Sequence, residues 1–106
     1  MHRDHVPSLP PNFLLLGSTP KCGIQGMLLP YDDRKEIKEV EDIHIFCVQG
    51  HPEFVSGIAE RVIDAREKLG ILDEPTVQEA RRRAIQEDDG VGAIARAVWK
   101  ILGVVY

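Results

Sequence analysis

The apolar residues of this chain form strand-like runs in its first half. Short runs predict strands over Phe13 to Gly17 and Ile24 to Leu29. We expect these strands to pair antiparallel, because the segment between them is too short for a crossover helix. A third run, Ile43 to Val48, is almost entirely apolar or β-branched, as in a strand that is covered on both faces. We expect it to be the central strand of the sheet.

The second half has the spacing of amphipathic helices. A first helix should end at Gly70, and a second should begin at Pro75, with Thr76 and Glu79 forming a capping box. Asp88-Asp89-Gly90 should close this second helix, and a third should follow. The apolar sides are predicted to consist of Val55, Ile58, Val62 and Leu69, then Val77, Ala80 and Ala84, then Val91, Ile94, Ala95, Val98, Leu102 and Val105, with Trp99 at the margin.

Length and composition restrict the function classes. A chain of 106 residues supports one domain, which would bury only about 65% of its unfolded surface. The net charge of −4, with both signs interspersed, provides no basic surface for nucleic acid or an anionic membrane. Two cysteines make no disulfide framework, which favours a reducing compartment. Without a membrane-length apolar run or a signal peptide, the sequence predicts a cytoplasmic protein.

A histidine and a glutamate follow the third predicted strand. Pro52 favours extended geometry at His51, and in an extended chain residues two apart lie on the same side, so His51 and Glu53 can act together. A carboxylate that accepts the imidazole Nδ1 proton leaves Nε2 free to take a proton from a nucleophile. The tripeptide alone fits equally well a surface turn in which Pro52 opens the next helix.

Several motifs together resemble the class I glutamine amidotransferases, a family with a Cys-His-Glu triad on a flavodoxin-like α/β domain. The family signature Gln-x-His-Pro-Glu is matched position by position. Upstream segments look like those of the branch that includes GMP synthase amidotransferase domains and their free-standing relatives. The matching residues are Gln49, His51, Pro52 and Glu53 in the signature, and His2, Asp4, Val6, Leu9, Pro10, Phe13, Ser18-Thr19 and Ile24-Gln25-Gly26 upstream.

The resemblance implies a fold and an activity. Residues 1–106 would be the C-terminal half of a flavodoxin-like α/β domain, with strands and the signature in 1–53 and helices in 54–106. His51 would shuttle the proton and Glu53 would orient His51 while glutamine is hydrolysed to ammonia. No cofactor or metal is implied, and the substrate-binding residues are unknown. Expected partners are a synthetase or a chain that supplies the N-terminal half.

The family's nucleophile is not matched in this sequence. The nucleophilic cysteine of the family lies in a Gly-x-Cys-x-Gly elbow after a strand. Cys22 has no glycine two residues before it and is predicted to lie on a loop, and Cys47 is predicted to be an inert residue within a buried strand. We therefore expect a fragment that is inactive alone, in which Met1 is an internal methionine of a longer product. The alternative is a non-catalytic binding or regulatory module that retains the pocket.

Other motif-like features have simpler interpretations. The charged segment from Pro30 to Asp42 and the triplet Arg81-Arg82-Arg83, flanked by Glu79, Glu87 and Asp88, are predicted to be solvated surface. His2-Arg3-Asp4 resembles a kinase catalytic loop, but Leu9 replaces the required asparagine. The histidines and cysteines lack zinc-binding spacing, and His44 is predicted to be a half-buried strand residue that bonds the backbone.

Overall fold

The computed structural model describes residues 2–31, 36–86 and 89–104 and has a mixed α/β architecture. The elements are, in order, β1 (Leu14–Thr19), β2 (Cys22–Pro30), a one-turn 3-10 helix (Val40–Asp42), β3 (Ile43–Val48), α1 (Ser56–Lys68), α2 (Glu74–Ala84) and α3 (Gly90–Ile101). The fold class is confirmed: a three-stranded antiparallel sheet and three helices, consistent with part of a flavodoxin-like domain. Two compact units are distinguished among the described residues: those from 2 to 51 together with 95–104, and those from 52 to 94.

The three strands are ordered β1-β2-β3. The predicted antiparallel pairing of the first two strands is confirmed, although both are longer than expected and are joined at a two-residue turn, Pro20-Lys21. The prediction that Ile43 to Val48 is the central strand is wrong for the described sheet. β2 takes the middle place because it pairs with β1 on one side and β3 on the other.

Close packing between the strands depends on a glycine in β2. A Cβ atom at Gly26 would lie 3.1 Å from Leu16 Cδ2 and 3.2 Å from the Cys47 carbonyl oxygen. Both distances are shorter than ordinary van der Waals contact. The absence of a side chain at this position therefore allows β1 and β3 to approach β2 closely.

Burial within the sheet is sparse. Among the described residues of the sheet, the buried ones are Cys22, Gly26, Leu28 and Pro30 of β2 and Ile43 of β3. The expectation that β3 is covered on both faces is wrong, since Ile45 and Val48 are each 37% exposed. Apolar sequence alone does not bury a strand, because burial needs atoms on both faces of the sheet as well as neighbours in it.

The helices α1 and α2 pack against each other. Each buries one residue, Ile63 in α1 and Val77 in α2. The prediction for Val77 is confirmed, but the predicted apolar side of α1 is wrong. Ile63 was not among its members, whereas the predicted members Val55, Ile58 and Leu69 are exposed.

The ends of these two helices are determined by local hydrogen bonds. Gly70, with φ of +65°, donates to the Glu67 carbonyl at 2.9 Å, and Ile71 donates to the Arg66 carbonyl, so the predicted glycine stop of α1 is confirmed. At the start of α2, Asp73 Oδ1 accepts from the Thr76 backbone N–H at 3.0 Å. Asp73 is therefore the N-cap, and the capping box predicted from Thr76 is wrong.

The third predicted helix is confirmed as α3. It begins at Gly90, whereas α2 ends earlier than expected, at Ala84. Gly103, with φ of +72°, donates to the Lys100 carbonyl and closes α3. The predicted features at Glu87, Asp88 and Val105 lie outside the described residues.

Candidate functional site

The signature residues follow the end of β3. Strand pairing continues one residue past Val48, where the Gln49 N–H donates to the Gln25 carbonyl at 2.9 Å. His51 is exposed and outside regular structure, so the expected continuation of the strand to His51 is not observed. Pro52 and Glu53 then form a turn, and α1 begins only at Ser56, so Pro52 does not open the helix.

His51 and Glu53 belong to different compact units. The first unit includes His51, and the second begins at Pro52. The catalytic roles of His51 and Glu53, and the approach of Glu53 to Nδ1 of His51, stay predictions.

A small recess lies at the first part of β2 and the end of β3, immediately before His51. Its volume is about 110 Å³, and its lining is mostly apolar. The residues that line it are Val6, Ile24, Gln25, Gly26, Met27, Cys47, Val48 and Gln49. Three separate motif segments of the sequence therefore converge at one place: the one that contains Val6, the Ile24-Gln25-Gly26 segment and the signature that begins at Gln49.

The environments of the two cysteines differ from their predicted ones. Cys22 is not on a loop but begins β2, where it is buried and its thiol donates to the Ile24 carbonyl at 3.3 Å. Cys47 is half-buried rather than enclosed, and it lines the recess. Neither residue is at a strand-to-helix elbow, because Cys22 is at the start of a strand and Cys47 is within one.

The remaining histidine of the sheet is on its surface. His44 is exposed, and its ring stacks on the ring of Tyr31 with centroids 4.5 Å apart. The prediction of a half-buried histidine is therefore wrong. Within the described residues, no group of three or more His, Cys, Asp or Glu side chains is arranged to hold a metal ion.

The arginine triplet of α2 is bonded to carboxylates. Hydrogen bonds from Arg82 and Arg83 lower the pKa of Glu79 to about 2. Arg81 instead reaches α1, where it lies 2.8 Å from Asp64 and 2.7 Å from Glu67. These hydrogen bonds to carboxylates raise the pKa of Arg81. All three arginines are exposed, as predicted, and Arg81 also links the two helices.

Comparison with known proteins identifies plant relatives. Gamma-glutamyl peptidase 2 of Arabidopsis thaliana is 32% identical over 80 residues, which are 76% of this chain and 27% of the relative. Gamma-glutamyl peptidase 3 of the same plant is 28% identical over 80 residues, which again are 76% of this chain and 27% of the relative. The chain is related to the class I glutamine amidotransferase-like superfamily. These matches support that broad superfamily and not the GMP synthase branch suggested by the upstream motifs.

The chain spans about a quarter of the length of the curated relatives that it matches. No family model matches the chain, and no solved structure matches it significantly. In the part of the chain that the structure describes, no helix is both long enough and apolar enough to cross a bilayer.

Proposed function

We propose that this chain is the base-carrying part of a class I amidotransferase-like hydrolase that cleaves γ-glutamyl amide bonds. His51 is the proton shuttle and Glu53 orients it. The observation that supports this function best is the recess at the first part of β2 and the end of β3. It joins Val6 and Gln49, which belong to two motifs far apart in the sequence, immediately before His51.

The proposed substrate class is defined by its acyl group. Glutamine and γ-glutamyl peptides share the side-chain carbonyl of glutamate and differ in the leaving group, which is ammonia or an amine. The names of the two plant relatives support the peptide substrates, and the signature supports glutamine. We therefore assign the chain to free-standing hydrolases of γ-glutamyl compounds in preference to the GMP synthase branch.

The proposed reaction needs a thiolate that neither cysteine of this chain supplies. A thiolate attacks the γ-carbonyl, His51 gives its proton to the departing nitrogen, and water then cleaves the thioester and releases glutamate. Cys22 is buried and donates its thiol hydrogen to a carbonyl, and Cys47 is within a strand. The nucleophile and the oxyanion donors therefore come from a partner segment that supplies the N-terminal half.

We expect the chain alone to be inactive. Loss of one oxyanion donor costs about 2.7–4 kcal/mol of transition-state stabilisation, and loss of the nucleophile removes the covalent route. The measurement is release of ammonia from glutamine and of aniline from a γ-glutamyl anilide by the purified protein. Activity above background that disappeared in both His51→Ala and Cys22→Ser would make Cys22 the nucleophile.

A chimeric enzyme tests whether His51 acts as the proton shuttle when the rest of the domain is present. The matching 80-residue segment of Arabidopsis gamma-glutamyl peptidase 2 is replaced by that of this chain. We expect the chimera to cleave γ-glutamyl anilide, and His51→Ala in the chimera to reduce kcat by at least about a hundredfold, the lower end of the contribution of general acid–base catalysis. Glu53→Gln should reduce kcat less.

His44→Ala is the matched control in the chimera, since His44 is an exposed strand histidine outside the signature. A folded chimera that kept full activity without His51 would refute the assigned role. Glutamine binding by the natural chain, together with a folded but inactive chimera, would favour the non-catalytic binding module.

A further inference from the structure

We draw no further inference here: the strongest candidate, the small and mostly apolar recess that Val6, Cys47 and Gln49 help to line beside the signature, belongs to the candidate site already described, and nothing in the described part of the chain shows what covers it.

Discussion

The sheet and the α1–α2 pair use their apolar residues differently. In the sheet, three consecutive leucines of β1, Leu14, Leu15 and Leu16, are between 38% and 50% exposed. The helix pair is more polar, yet it buries Ile63 to 1% and Val77 to 2% exposure. Both regions contain buried residues, but β1 leaves its three adjacent leucines exposed, whereas each of the two helices buries an apolar residue against its neighbour.

Different interactions support the two regions. The sheet depends on backbone pairing and on close approach at Gly26. The helix pair depends on two buried side chains, an N-cap at Asp73 and ion pairs of Arg81. The difference shows that the apolar side chains of a strand contribute little buried surface until a second layer of structure covers them. Two packed helices bury each other's apolar side chains.

Ile63→Ala should give the largest effect and tests the packing of the helix pair. Removing a fully buried isoleucine costs about 2–5 kcal/mol, because it leaves a cavity as well as losing burial. Urea unfolding followed by far-UV circular dichroism measures the loss. Ile58→Ala, on the same helix at an exposed position, is the control and should cost less than about 1 kcal/mol. Equal losses of stability in the two variants would show that a different face of α1 packs against α2.

Gly26→Ala tests the close packing of the sheet. The added methyl group would meet the Cys47 carbonyl, which is backbone and cannot move freely. We expect a loss of about 1–3 kcal/mol in the free energy of unfolding. Gly23→Ala in the same strand has nothing within 4 Å of the new atom and should be nearly neutral. If Gly26→Ala left the free energy of unfolding unchanged, the strands would be able to move apart without loss of stability.

Asp73→Ala tests the cap of α2. Loss of the side-chain acceptor for the Thr76 N–H should cost about 0.5–2 kcal/mol. Thr76→Ala leaves that backbone donor in place and should cost less, contrary to the capping box that the sequence predicts. Thermal unfolding of both variants compares them directly. A larger loss for Thr76→Ala would restore the capping box.

The smallest effect is the pH dependence that arises from Glu79. Its pKa is lowered from 4.5 to about 2 in the folded chain, so its carboxylate stabilises α2 above about pH 4.5. This contribution is lost as the pH falls from 4.5 toward 2. Glu79→Gln should flatten the pH dependence of helicity in that interval. Because the group is exposed, salt should weaken the effect in the natural chain.

The periodicity of apolar residues predicts where the strands and helices lie better than it predicts which of their side chains are buried. Three strands, three helices and the stop at Gly70 follow from local rules on apolar spacing and glycine geometry. The buried residue of α1 was missed because Val62 and Ile63 are adjacent apolar residues, and the spacing does not distinguish which of them faces α2. The cap was misassigned because both Asp73 and Thr76 are good N-caps.

At the candidate site, too, some features can be predicted from the sequence and others only from the structure. The signature from Gln49 to Glu53 can be recognised from residue types alone. The plant relatives support its relation to the superfamily. The meeting of Val6 with Gln49 at one recess cannot be predicted from local sequence patterns, because 43 positions separate the two residues. Neither source assigns a nucleophile within this chain.

The sequence by itself determined which segments are strands and helices, because these depend on interactions between near neighbours in the chain. Only the tertiary structure decided that β2 and not β3 is the middle strand, that Cys22 is buried while Cys47 is half-buried, and that Arg81 joins two helices. Burial and strand order depend on contacts between distant residues, and no local pattern of apolar and polar positions contains that information.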